Sequence, residues 1–251
     1  MFLRNLPGVE MNNIRTIFHK ELSIYKNTPI GYIFSSFFLL LLSFLFFYGL
    51  GGNSFWDLKI SSMEQYFMWV PLLFIIFIPA ITMRLWSEEE KSGTIEVLLT
   101  LPVKDYEIVI GKFLSAWLFL ILTLCGTLLT PFTIFLLGSL DPGLIFSGYL
   151  GTFLLGGAYI SMGMVISSLS RDQISSFMMT LLLCLITFLL GYQPLLQFFG
   201  NRAGGYIAFF SLSQHFESFR MGVFDPRDFL FYFSFIALMM VSNVLILRGK
   251  K

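Results

Sequence analysis

Between two long apolar runs the chain carries one densely charged stretch, Arg84 to Lys112 (RLWSEEEKSGTIEVLLTLPVKDYEIVIGK). It holds ten charges: Arg84, Glu88, Glu89, Glu90, Lys91, Glu96, Lys104, Asp105, Glu107 and Lys112. Placing each in lipid would cost roughly 2.5 to 3.5 kcal/mol, so the stretch is expected outside the hydrocarbon. The rest of the chain is what makes lipid the relevant solvent. Hydrophobic residues make up 56% and charged residues 12% of it, about half the charged share of a soluble domain. The 31 phenylalanines suit lipid-facing surface, and a net charge of +1 gives no reason to expect nucleic acid.

Within the charged stretch, Thr94 to Leu101 sets Ile95, Leu98 and Leu99 at helical spacing, with Val97 and Leu101 widening the apolar side. Thr94 is a candidate cap, and Pro102 disfavours helical geometry in the residue before it. About two turns of amphipathic helix are expected between Gly93 and Pro102. So short a helix is unstable alone in water and needs a surface to dock on. The plainer alternative is a loop helix that only links two spans.

The run Glu90-Lys91-Ser92-Gly93-Thr94-Ile95-Glu96-Val97-Leu98-Leu99-Thr100-Leu101-Pro102-Val103 resembles the signature loop of ABC-2 type permeases. The longer match, from Ile78-Pro79-Ala80-Ile81-Thr82-Met83-Arg84 through Gly111-Lys112-Phe113, is similar to the gliding-motility-associated and copper-maturation permeases of that family. The resemblance implies an all-α membrane protein of the type V exporter kind, with six spans, an amphipathic elbow helix, a cytoplasmic coupling helix between spans two and three, and short re-entrant helices between spans five and six. It also implies that Glu90, Gly93, Thr94, Ile95, Glu96, Leu98, Leu99 and Pro102 serve ATPase coupling. The implied partners are two ATPase subunits that hold the ATP and Mg, and a second permease, identical or homologous. The implied place is a bacterial inner membrane.

Taken in order, residues 1–11 suggest a short flexible lead. Residues 12–27 put Ile14, Ile17, Phe18 and Leu22 near one face of a helix, with cationic residues elsewhere, the pattern of an interfacial elbow. A first span is expected over 30–50, ended by Gly51, Gly52 and Asn53, and a second over 66–83, where Pro71 and Pro79 require packed neighbours. The loop occupies 84–107. A third span, 108–137, exceeds one crossing, and Gly126 and Pro131 permit a bend. The fourth, 144–168, is rich in glycine, which lets helices approach closely. The fifth, 174–196, leads to a half-apolar, half-charged segment, 197–228, and the sixth runs over 229–247 to a basic tail. No cleavable signal peptide is expected, because a long polar stretch precedes the first apolar run. Twelve Lys and Arg fall on the side of the loop and termini against four on the other, which puts both termini in the cytoplasm.

The chain has no GxxxxGK[ST] loop, HExxH, CxxC or Gly-x-Ser-x-Gly, so it is not expected to be an enzyme or to bind a cofactor or metal. His19 and His215 fall at opposite faces. Cys125 and Cys184 sit in apolar spans as small hydrophobes. Met162, Met164, Met178 and Met179 raise a Cu(I) reading, against the commoner one of packing filler. Glu88, Glu89 and Glu90 are candidates to pair with a partner, or with Arg84 and Lys91, or to be a plain solvated charge run. No charge lies well inside a span, which disfavours a secondary transporter. Three readings stand: an ATP-driven permease, a subunit that transmits force to a periplasmic or envelope partner, and, least favoured, a secondary transporter. The cargo is not legible.

Overall fold

The computed structural model describes residues 7–49, 55–58, 62–138, 140–198 and 200–250, and every regular element among them is a helix. In order these are α1 (Pro7–Asn27), α2 (Pro29–Tyr48), α3 (Phe55–Leu58), α4 (Glu64–Thr82), α5 (Ser87–Lys91), α6 (Thr94–Thr100) and α7 (Asp105–Thr127). They continue as α8 (Leu129–Leu137), α9 (Pro142–Leu169), α10 (Gln173–Leu189), α11 (Gln193–Phe198), α12 (Gly200–Phe209), α13 (Leu212–Arg220) and α14 (Pro226–Gly249). Five helical stretches among the described residues are long and apolar enough to cross a membrane: Gly31–Tyr48, Glu64–Lys91, Asp105–Leu137, Pro142–Leu169 and Pro226–Gly249. The protein is an all-α membrane protein.

The bundle is built on α9, which packs against α4, α7, α10, α13 and α14. Its glycines make this possible: a Cβ on Gly148 would overlap the Phe67 ring, and one on Gly156 would overlap Leu120. Helix α4 is buried along most of its length, whereas α2 and α14 expose much of theirs. Helix α10 is apolar outward and polar inward. Ile174, Met178, Leu182 and Ile186 are exposed, while Ser176, Thr180 and Cys184 are buried against the bundle. That is the expected order for a helix between lipid and protein, because hydroxyls hydrogen-bond or pack across helices and aliphatic side chains meet the tails.

Several boundaries differ from the sequence expectation. Helix α1 is already formed at Pro7, within the expected lead 1–11, whose residues 1–6 lie outside the described residues. Helix α2 ends at Tyr48, with Gly49 at φ 65°, and the expected terminators Gly51 to Asn53 lie outside the described residues. The third span is two helices meeting at Leu128. Pro131 explains the break, since its ring clashes with the carbonyl four residues back, that of Thr127. The fifth span stops at Leu189. Its 17 residues reach roughly 25 Å at about 1.5 Å each, short of about 30 Å of hydrocarbon. It stops because Ser211 and Ser213 donate to the carbonyls of Thr187 (3.3 Å) and Phe188 (3.0 Å), and Gly191 is pressed against the same two hydroxyls.

Residues 197–228 fold into the end of α11, α12, α13 and the turn into α14. Helix α13 is tied down at both ends. The Tyr232 hydroxyl donates to Leu212 O (2.7 Å), and His215 Nδ1 lies 2.6 Å from Asp228 Oδ1. Arg220 pairs with Glu217 and, at 2.9 Å, with Glu64 at the start of α4. The carboxylate of Glu217, together with the more distant Glu64, holds the Arg220 guanidinium more firmly charged than usual. This end of the bundle lies opposite the charged loop.

Candidate functional site

The charged stretch folds into α5, α6 and the first turns of α7. Its root is the corner between α4 and α5, Met83 to Ser87, which three other helices hold. From α1, the Tyr25 hydroxyl donates to Ile81 O at 2.9 Å, and burial raises that phenol's pKa so that it stays a neutral donor. From α9, Ser167 Oγ accepts the backbone N–H of Trp86 (3.0 Å) and Ser87 (3.2 Å) and donates to Met83 O at 3.1 Å. From α7, the Lys112 ammonium donates to Leu85 O (2.7 Å), Glu21 Oε1 (3.0 Å) and Glu89 Oε1 (3.0 Å), and lies 4.8 Å over the Trp86 ring.

All three ammonium hydrogens of Lys112 therefore have partners. Lys112 is 2% exposed and Glu21 7%. Lys20, largely exposed, joins from 3.6 Å of Glu89 and 3.7 Å of Glu21, making a neutral cluster of two lysines and two glutamates. Burial at this depth is tolerable because each charge faces an opposite one, while Glu89 Oε2 is buried without a hydrogen-bond partner. Glu107, also buried, accepts from the Lys104 backbone (3.0 Å) and from Asn13 Nδ2 (3.2 Å). The C-terminal helix reaches the same region, with Lys250 Nζ 2.6 Å from Glu90 and Arg248 3.8 Å from Asp105.

These contacts correct the sequence expectation in several places. Lys112, counted with the charged stretch expected outside the hydrocarbon, is buried among protein groups in α7. The acidic run pairs with Lys112, Lys20 and Lys250, not with Arg84 or Lys91 as weighed. Glu90, expected to serve coupling, is engaged by the chain's own tail. Arg84 lies over the Tyr25 ring at 4.8 Å. The elbow does not lie free on a surface, because Leu22 is buried and Ile17 packs on Gly111 of α7; Ile14 and Phe18 are half-buried. The sequence signal for Lys112 was one lysine beside a glycine in an otherwise apolar helix start. Its partner Glu21 is far away in the chain and gave none.

Helix α6 is displayed at the outside of this root. Gly93 precedes it at φ 70° and ψ 9°, in the left-handed region. Thr94, expected as the cap, makes no capping bond; its hydroxyl meets Ser92 Oγ at 2.8 Å. Ile95 is buried, and Leu98 and Leu99 are half-buried against the same core. The outward apolar pair is instead Val97, 64% exposed, and Leu101, 47% exposed, one helical turn apart, flanked by exposed Thr94, Glu96 and Pro102. The reason is amphipathic supply: the helix needs Ile95 and Leu98 to hold itself to the bundle, which leaves Val97 and Leu101 over. Between α1 and α6 runs a groove of about 270 Å³, with Ile17, Leu98 and Leu101 on its walls and Lys112 among its lining.

Gly93 gives a direct test of this geometry. A Cβ there would meet nothing within 4 Å, so only the backbone resists a side chain, by about 1–2 kcal/mol for most residues and less for asparagine. Gly93→Val is expected to speed amide exchange across Thr94 to Thr100, and Gly93→Asn to leave it near the parent rate; equal rates in both would refute the turn.

Among the described residues no three His, Cys, Asp or Glu side chains gather as a metal site. Met162 and Met164 are buried while Met178 and Met179 point outward, so the four do not converge on one ion. Cys125 and Cys184 are both free thiols, one exposed and one buried.

A helical bundle with several membrane-length helices, carrying at one end a charged loop fastened to α1, α7 and α9 and a short helix with an exposed apolar edge, defines a multi-pass membrane protein. Residues 53–247 match the family model described as ABC-2 family transporter protein, and the chain belongs to that family. It is thus the permease component of an ABC transporter. No curated protein matches the chain.

Proposed function

We propose that this permease couples ATP hydrolysis by separate ATPase subunits to export across a bacterial inner membrane, with α6 as the coupling helix. The observation that carries the reading is the exposed Val97 and Leu101 edge on a loop whose root is fastened to α1, α7 and α9. An apolar pair held out on a rigid base is a docking feature, since buried aliphatic anchors dominate binding energy at protein interfaces. In this reading the groove between α1 and α6 receives part of the same ATPase, and its neutral floor selects an apolar insertion. ATP and Mg belong to the ATPase, and the permease has no cofactor.

The working assembly is two permeases, identical or homologous, with two ATPases, as ABC-2 permeases work with ATPase partners and dimerise. Both termini and the loop lie in the cytoplasm on the positive-inside count. With α10 counted as a short crossing, six spans return the C-terminus to the side of α1, which the Lys250 to Glu90 pair supports. The resemblance of the loop to gliding-motility and copper-maturation permeases supports a place near that branch.

Photocrosslinkers at Val97 and Leu101 in native membranes are expected to capture an ATP-binding-cassette ATPase, identified by mass spectrometry, and crosslinkers at Phe233 and Leu245 on the exposed face of α14 to capture none. Capture of only lipid from Val97 and Leu101 would refute the docking role.

A further inference from the structure

We infer that Lys112 is the positioning residue that makes the loop, the elbow and α7 move as one piece. This rests on the coupling reading of α6. The ammonium bonds all three parts: Glu21 on α1, Leu85 and Glu89 at the α4 to α5 corner, and through its own backbone α7. Each contact is a hydrogen bond of 3.0 Å or less, and the lysine is 2% exposed. Little water competes, and the bonds keep the strength of charge-assisted pairs in a low dielectric.

The surroundings make the joint directional. Gly111, next to Lys112, is closed against Ile17, where an added Cβ would stand 2.9 Å from Ile17 Cγ2. Helices α1 and α7 therefore touch closely and share the two ends of a salt bridge. The corner is additionally fixed to α9 through Ser167. A push on α6 passes through the short α5 to Glu89, and from Glu89 through Lys112 to α7. Without the ammonium, only the largely exposed Lys20 stands against the two carboxylates of Glu21 and Glu89, and the corner loses its bond from α7.

The experiment uses the full chain in lipid nanodiscs, with Cys125 and Cys184 replaced. Spin-label pairs at Lys91 and Leu114 (α5 to α7) and at His19 and Leu114 (α1 to α7) read the joint without any partner. In the parent each pair is expected to give one narrow distance. Lys112→Met should broaden both distributions, and Lys112→Arg, which keeps the charge and the donors, should restore narrow ones. With the ATPase added, Lys112→Met should still bind it but lose roughly tenfold or more of the stimulation of ATP hydrolysis, about 1.4 kcal/mol and well within the cost of breaking a buried pair; Lys112→Arg should recover most of it. Narrow distributions in Lys112→Met overturn the inference whatever the ATPase does, and so do broad ones with parental stimulation. A parent chain that binds no ATPase refutes the coupling reading instead, while the distances still decide the joint. Should Lys112→Met fail to fold, Glu89→Gln, which leaves the bonds to Glu21 and Leu85, is read in the same way on the α5 to α7 pair.

Discussion

Val97→Asp combined with Leu101→Asp is expected to abolish ATPase binding while leaving the bundle folded. Both side chains are exposed, 64% and 47%, so the folded permease loses almost no packing. In the complex the same positions would bury two carboxylates with no counter-charge. Each unpaired polar group costs at least about 1–3 kcal/mol and a charge costs more, so affinity should fall by about 100-fold or beyond. The contrast that identifies the face is Ile95→Asp. Ile95 is 7% exposed, and its replacement should detach α6 from the permease itself, visible as lost exchange protection without any partner. Titration of the purified ATPase onto nanodiscs measures the first effect and thermal unfolding checks the fold. Parental affinity in the double variant would overturn the assignment of the docking edge.

Gly148→Leu is expected to prevent the bundle from assembling. A Cβ on Gly148 already overlaps the Phe67 ring. That ring is 0% exposed and packs edge-on to Tyr149 at 5.3 Å and to Tyr66 at 5.6 Å, so it has nowhere to swing. Overpacking by a few methylene groups typically costs about 1–3 kcal/mol, and here the backbones of α4 and α9 must separate along a contact that organises the fold. Loss of the monodisperse peak in size exclusion, or a large fall in thermal midpoint, is the expected result. Gly205→Ala is the control. Nothing lies within 4 Å of its added Cβ, and alanine favours a helix over glycine, so the variant should be as stable as the parent. Equal behaviour of the two variants would show that close approach at Gly148 is not needed.

The particular mismatches between expectation and structure share one cause. Periodicity named five apolar positions on α6 but could not divide them into those that hold the helix to its own bundle and those left over for a partner. The expected docking set of Ile95, Leu98 and Leu99 turned inward, and Val97 and Leu101 remained. In the same way, the cost of placing Lys112 in lipid was legible, whereas Glu21, Glu89 and Leu85 O, which surround it in place of water, were not. Span five was expected to reach Leu196 with Gly191 and Pro194 breaking it near its end, but it stops at Leu189, because hydroxyls at the start of α13 take its last carbonyls at Thr187 and Phe188.

By itself the amino-acid sequence determined that the chain is helical and lives in lipid, that its charged stretch separates two membrane-length helices, that Gly93 and Pro102 bracket a short helix, and that glycines along α9 allow close packing. Each of these depends on local composition or short-range spacing, where the cost of a misplaced charge, proline or glycine falls on the residue itself. Only the tertiary structure decided which face of α6 is free, that Lys112 is buried, and that Tyr25, Ser167 and Glu21 hold the corner beneath the loop. Those outcomes depend on partners dozens of residues apart, brought together by the packing of α1, α7 and α9, and no window along the chain contains both members of such a pair.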